Sequence, residues 1–331
     1  LAMLSGLLQQ NGLWNPALEA LASEQDPVIS IQTPQELQKI GLSPDYPMDG
    51  DYILTSDLDM SGISFIPIGG TKGEKGAVSG KNVFSGTFDG QGHLISNLNI
   101  RVAEPLSSTE YAQIGLFSIL ASADASDYAQ VKNLIFADVS INTDNTGGFT
   151  AAGALAGEVN GYASVDNICV LTGNVTVNGS NQSDTVGAAG VIGECRTNAP
   201  MGNAFISITN VFNGAEILAG SSSSLNYAGG IIGRVSGTCK KISGCLNIGR
   251  TSFKGDLGLG IAAFHNAESS CLDSAYFLFN TGRAANSTEL TEEDLKSGNL
   301  PQGLSPDAWY TSEGAYPLPS ICQNSSAADY I

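Results

Sequence analysis

Apolar and polar positions alternate over short distances through the middle of the chain, and the alternation itself recurs. The stretches Gly115-Leu116-Phe117-Ser118, Ala154-Leu155-Ala156-Gly157, Gly190-Val191-Ile192-Gly193, Gly230-Ile231-Ile232-Gly233 and Gly260-Ile261-Ala262-Ala263 are variants of one another. Their first bulky apolar residue falls at 116, 155, 191, 231 and 261, in steps of 39, 36, 40 and 30 residues. A second column runs out of phase: Asn97-Leu98, Asn133-Leu134, Asn167-Ile168 and Asn210-Val211, each preceded at the second position by Ile95, Val131, Val165 or Ile208. Gly244-Cys245 behind Ile242 is a degraded fifth copy. A weaker alternation follows at Val139/Ile141 and Val175/Val177. Such apolar-x-Asn-apolar spacing suits short strands better than helices. The pattern predicts three strands per unit, separated by Gly, Ser, Asn and Asp.

A repeat of this size predicts a stacked fold, here an all-β parallel β-solenoid in which each coil buries its apolar positions against its neighbours. The recurring Gly marks a bend or the close approach of another backbone. The recurring Asn reads as a turn residue whose amide bonds nearby backbone or the next Asn in the stack.

A solenoid must cover the apolar ends of its core. Thr33-Pro34-Gln35-Glu36 is a capping box with Pro at the first helical position, and it predicts a short helix through Ile40 closed by Gly41. Tyr52-Ile53-Leu54 and Ile63-Ser64-Phe65-Ile66 read as the first strands, the second ending at Pro67. Thr291-Glu292-Glu293-Asp294 opens another short helix ended by Gly298, after which Trp309, Tyr310 and Tyr316-Pro317-Leu318-Pro319 are expected to fold over the last coil. The organisation expected is a helical segment over 1–27, the solenoid over 28–280 and a capping segment over 281–331. Residues 1–23 carry Leu and Trp partly on one helical face and no Lys or Arg, unlike a secretory signal.

Forty Gly and 14% charged residues fit a turn-rich β architecture. The formal charge is −18 with 14 Lys plus Arg, so no basic face is apparent for nucleic acid or an anionic membrane. No apolar run is long enough to span a bilayer. A monomer is expected. The six Cys (169, 195, 239, 245, 271 and 322) include no CxxC, and six allow fifteen pairings that sequence does not choose between. Cys245 takes an aliphatic slot and Cys195 aligns with Val159 and Val235, so mostly unpaired core thiols are expected. A bridge such as Cys271–Cys322 is the alternative.

Phe84-Ser85-Gly86-Thr87-Phe88-Asp89-Gly90-Gln91-Gly92-His93, followed by Ile95-Ser96-Asn97-Leu98, resembles the entry sequence of GLUG-motif proteins. Tyr52 to Met60 resembles the usual lead-in of that family, and the Gly-aliphatic-aliphatic-Gly repeat is matched best at 190–193 and 230–233. These are bacterial surface proteins, including adhesin-like molecules and the non-catalytic repeat regions of IgA-cleaving metallopeptidases. The resemblance covers about residues 28 to 320. It implies a right-handed parallel β-helix at an extracellular or cell-surface location, and it carries over no catalytic motif.

The chemistry that such folds can host is mostly missing. A zinc peptidase needs HExxH, but the only two His are His93 and His265, and neither lies in that motif. Glycoside hydrolysis needs two carboxylates at fixed separation. The acidic pairs Asp49/Asp51, Asp57/Asp59 and Asp124/Asp127 read as turn formers, although Asp57 and Asp59 would share one side of an extended strand. The cations Arg101, Arg196, Arg234 and Arg250 are not visibly grouped with them, and Arg234 reads as an outward strand residue. Asp49-Gly50-Asp51 and Asp57/Asp59 offer oxygen ligands for a structural calcium ion, without an EF-hand loop. His93 is expected to bond backbone within its own turn. No catalytic, cofactor or metal residues are assigned. The reading is a non-enzymatic adhesin-like module whose partner, a host protein or glycan, meets the variable loops 71–82, 104–113, 142–150, 178–186 and 220–226. A carbohydrate-active β-helix and a passive stalk are the alternatives.

Overall fold

The computed structural model describes residues 27–74, 76–103, 109–145, 148–179, 185–197, 205–220, 225–237, 239, 241–253, 256–265, 269–324 and 326–330. The expected N-terminal helix over 1–23 and parts of the variable loops lie outside these residues.

The repeats wind as a parallel β-solenoid, but a full coil carries four strands rather than three. One coil consists of Ala129–Ala137, Val139–Asn145, Phe149–Ala152 and Ala156–Gly161. The next consists of Ala163–Val170, Gly173–Gly179, Thr185–Ala189 and Ile192–Arg196. Each strand pairs in parallel with its counterpart in the next coil. Four sheets therefore run along the molecule, called sheets 1 to 4 in the order the chain visits them, with eleven, six, five and six strands, all parallel except for one antiparallel edge pair each in sheets 2 and 3. The sheet 3 strand escapes the aliphatic pattern because it is short and built from small residues, as in Phe149-Thr150-Ala151-Ala152.

The core is a stack of aliphatic columns. Leu116, Leu155, Val191, Ile231 and Ile261 are each 0% exposed. They sit at the corner between sheets 3 and 4, so the glycine-flanked motif spans a corner and the start of a strand. Val131, Val165, Ile208 and Ile242 stack in register on sheet 1. Cys195 lies between Val159 and Val235, and Cys245 follows Val211, as their spacing predicts.

Asn133, Asn167 and Asn210 have φ of 54°, 58° and 55°, and Gly244 continues the column at 65°. This left-handed backbone is the one that Asn and Gly tolerate best, which explains the exchange of one for the other. Asn167 Nδ2 donates to Asn133 Oδ1 at 2.8 Å, and Asn133 Nδ2 donates to Asp89 Oδ1 at 3.0 Å. Asn97 does not belong to the column. Ser96 pairs with Ala137, which places Asn97 beside Asp138, while Asp89 and the Gly-Gln-Gly turn after it are the counterparts of Lys132 and Asn133.

Both capping boxes form, at Thr33 before the helix Pro34–Leu37 and at Thr291 before Glu292–Leu295. Asp51–Leu54 is a strand, whereas 63–66 is not: Ile66 is 55% exposed, and Ile68 makes the bridge to Phe117. The last coil is closed by Thr281 and Arg283, whose carbonyls accept from Thr251 N and Gly260 N. The segment from Glu292 onward does not fold over that end. It runs back along the outer face of sheet 1 as a strap. Leu295, Leu304, Trp309, Leu318, Cys322 and Ala327 cover Ile135, Cys169, Phe212 and Leu246. Trp309 Nε1 reaches Asn210 Oδ1 at 3.3 Å, and Ser326 donates to Asp57 in the first coil.

Candidate functional site: a sealed ionic cleft between sheets 3 and 4

The last Gly of the repeated motif decides how closely sheets 3 and 4 meet. A Cβ on Gly157 would lie 2.3 Å from Ile114 N, and one on Gly193 would lie 2.3 Å from Ala152 N. The two sheets therefore fold back on each other with backbone against backbone, and the residue after each Gly enters the narrow angle between them. Ile119, Glu158, Glu194 and Arg234 occupy that position in four successive coils, in register. The residues two places on are Ala121, Asn160, Arg196 and Ser236. Across the angle, sheet 3 presents Gln113, Ala151, Gly187 and Tyr227, again in register. The small residues at 151 and 187 leave room for the charged chains.

Glu158 and Glu194 are both 0% exposed. Arg196 NH2 donates to Glu194 Oε1 at 2.6 Å, Arg234 NH1 lies 3.3 Å from the same oxygen, and Ser236 Oγ donates to it at 2.9 Å. Glu158 accepts from Gly76 N at 3.1 Å and from Gln113 Nε2 at 3.2 Å. Arg196 Nε is 3.8 Å from Glu158 Oε1. The Arg234 guanidinium lies over the rings of Phe149 and Tyr227, 5.6 and 5.1 Å from their centroids. Tyr227 Oη and His265 Nδ1 share a hydrogen bond of 2.7 Å at the far end of the row.

Burial, and then the neighbouring Glu194 carboxylate, push the Glu158 carboxyl up to about 7 against the opposing pull of Arg196, Gln113 and the Gly76 amide. Burial and the nearby Arg234 charge lower His265. The segment around Gly76 closes the cleft over the first coils. Ala77 O accepts from Asn160 Nδ2, and Ala77 and Val78 pack on Val83, Ile119 and Ala121.

Glu158 and Glu194 are two carboxylates on adjacent in-register strands, the kind of pair that glycoside hydrolysis also uses. They are sealed from solvent, so the arrangement can hold a proton near neutral pH but receives no substrate. Arg196 and Arg234 are not grouped with the Asp pairs, as expected, but they are grouped with Glu158 and Glu194, which the sequence did not single out. Arg234 points outward from the core, as expected, yet its side chain is only 12% exposed.

The sequence-predicted acids serve elsewhere. Asp57 Oδ1 is 2.9 Å from His93 Nδ1 and accepts from Leu94 N, so the His93 imidazole bonds a carboxylate, while the His93 amide donates to Gly90 O within its own turn as expected. Desolvation raises the Asp57 carboxyl, but the Ser326 hydroxyl, the Leu94 amide and His93 together bring it below its ordinary value. The Ser326 hydroxyl rests on Asp57 rather than on the imidazole, which leaves out the nucleophile–base link of a hydrolase triad. Asp59 is engaged separately, by Ser61 N and Asn97 Nδ2. Asp124 makes a local turn with Ser126. Among the described residues, no group of three or more His, Cys, Asp or Glu is placed to hold a metal ion. Also among them, no helix is long and apolar enough to cross a membrane.

The chain matches no protein-family model. It matches no curated protein. Among solved structures it is similar to a crystal structure from Bacteroides ovatus, of a protein provisionally named an immunoglobulin A1 protease. The two share 16% identity with a TM-score of 0.47, over 90% of this chain and 93% of that one. A likeness of that size assigns no activity to this chain.

Proposed function

We propose that this chain is a non-enzymatic, adhesin-like module of a bacterial surface or secreted protein, one that binds a host protein or glycan at a single corner of the solenoid. The observation that carries this reading is where the irregular connections leave the scaffold. The corners between sheets 1 and 2 and between sheets 3 and 4 are short and uniform, and the corner between sheets 4 and 1 is uneven, with its longer connections at 123–128 and 197–205. The corner between sheets 2 and 3 takes the unlike segments that follow Val102, Asn145, Gly179 and Ala219 and precede Tyr111, Phe149, Thr185 and Leu225. The strands on both sides are in register, so these connections issue from one edge. Solenoids commonly bind through insertions gathered in this way. The resemblance of the entry sequence and repeats to GLUG-motif proteins supports the same reading, and no cofactor is invoked.

The test replaces 104–108 and 181–184 with Gly-Ser segments of equal length and compares the products with the native chain on glycan arrays and immobilised matrix proteins. Binding by the native chain and its loss in both variants is expected. A native chain that is blank on every surface reduces the reading to a passive stalk. Turnover of a polysaccharide by the native chain would overturn it.

A further inference from the structure

The cysteines are placed with more order than a set of unrelated core thiols. Cys169 lies on the outer face of sheet 1 and Cys322 on the strap, 0% and 2% exposed, within the same apolar cluster. Their thiols are in hydrogen-bonding contact. Cys195 Sγ and Cys239 Sγ are 3.9 Å apart on the core side, near the corner between sheets 4 and 1, and Cys239 also contacts Cys271. Cys271, the partner of Cys322 in the alternative bridge, thus belongs to the other group, and Cys245 stands apart from both. All six are free thiols in this structure.

We infer that Cys169 and Cys322 are a redox pair whose disulfide fastens the strap to the solenoid. The strap is the element that most needs such a fastening. It leaves the solenoid after the last coil and reaches back across the coils to Asp57. Its side chains cover the apolar outer face of sheet 1. A bond between Cys169 and Cys322 closes a long loop and restricts the states in which the strap is detached.

The chemistry is a two-electron exchange with an external disulfide such as oxidised glutathione. While the strap is lifted, the Cys322 thiolate attacks the oxidant, forming a mixed disulfide and releasing one glutathione thiolate. On docking, the Cys169 thiolate attacks the Cys322 sulfur, forming the protein S–S bond and releasing the second glutathione thiolate. The two thiol protons pass to solvent and protonate the released thiolates. Once docked, the bond is shielded from reductants.

The experiment uses the full chain. It is equilibrated in oxidised or reduced glutathione, alkylated under denaturing conditions, digested and mapped by mass spectrometry. The expected product in the oxidised sample is a Cys169–Cys322 linked peptide, with Cys245 alkylated. Cys322→Ser and Cys169→Ser variants should lack the link. The oxidised native chain should melt higher than the reduced one by on the order of 5 °C, a gain that both variants lose. Full alkylation of Cys169 and Cys322 in the oxidised sample would overturn the inference, as would a dominant Cys271–Cys322 link. The readout is independent of any binding partner, so it stands or fails apart from the adhesion reading.

Discussion

Two layers of this molecule are buried outside the solenoid core, and they are built on opposite principles. The layer on sheet 1 is apolar. Ile135, Cys169, Phe212 and Leu246 face outward and are covered by a separate piece of chain anchored by Trp309. The layer between sheets 3 and 4 is ionic. It is closed mainly by the scaffold itself, because glycines at 157, 193 and 233 let one sheet lie against the next. The apolar layer draws its stability from area removed from water, and any side chains of similar shape would serve. The ionic layer depends on each charge keeping its partner, since a buried carboxylate or guanidinium is costly when left alone. Outward-facing strand positions of equal rank in the repeat therefore carry very different tolerances.

The comparison can be broken most severely at the strap. Ending the chain before Thr291 exposes the outer face of sheet 1, and the product is expected to bind a hydrophobic dye and aggregate at concentrations where the native chain is monodisperse. Trp309→Ala, at a side chain 1% exposed, should cost about 3–5 kcal/mol in denaturant unfolding.

In the ionic layer, Glu194→Gln leaves Arg196 and Arg234 without their shared carboxylate and should cost a similar amount, about 3–5 kcal/mol. Replacing Glu194 with Leu and both arginines with Met together should cost far less than that single change. A triple replacement as damaging as Glu194→Gln would show that shape, not charge pairing, dominates the cleft.

Gly193→Ala tests the approach of the sheets. Its Cβ has only backbone to meet, at 2.3 Å from Ala152 N, and a loss of about 1–3 kcal/mol is expected. Gly62→Ala has nothing within 4 Å to strike and controls for backbone strain, because its φ of +72° also disfavours a side chain.

Glu158 gives a pH-dependent prediction of fixed sign. Its folded value is raised, so its stabilising contribution is complete below the unfolded value of 4.5 and is lost as pH climbs through about 7. Glu158→Gln should unfold later than the native chain at pH 8, by about 1–3 kcal/mol, and the advantage should vanish near pH 4. Asp57 has the opposite sign. Its carboxyl is lowered, so the tie to Ser326 and His93 holds above the ordinary Asp range and is lost as pH falls through the folded value. The smallest expected effect is in the Asn column. Asn167→Ala should cost about 1–2 kcal/mol for its left-handed backbone, and Asn167→Gly less, as Gly244 illustrates.

Much of the core was legible in the sequence because stacked coils repeat the same requirement. The aliphatic columns, the Asn positions and both capping boxes are local patterns that the fold preserves. The layers outside the core were harder to read. Glu158, Glu194 and Arg234 alternate with buried residues, so period two assigns them to water, and nothing local says that a second sheet lies across from them. The signal was indirect: a Gly before each charge, and Ala151 and Gly187 on the facing strand. The strap's footprint was more visible. Leu134-Ile135, Ile168-Cys169, Val211-Phe212 and Cys245-Leu246 are apolar at two adjacent positions, as expected for a strand buried on both faces. The fourth strand of each coil was hidden by its small residues, which carry no hydrophobic alternation.

The sealed, charge-paired state of the cleft is tested most directly by a double-mutant cycle between Glu194 and Arg196, using Glu194→Gln, Arg196→Met and the pair together in denaturant unfolding at neutral pH. A buried pair predicts a coupling energy of about 1.5–3 kcal/mol. A coupling below about 0.5 kcal/mol, the size found for solvent-exposed pairs, would mean that water reaches these carboxylates and would contradict the account.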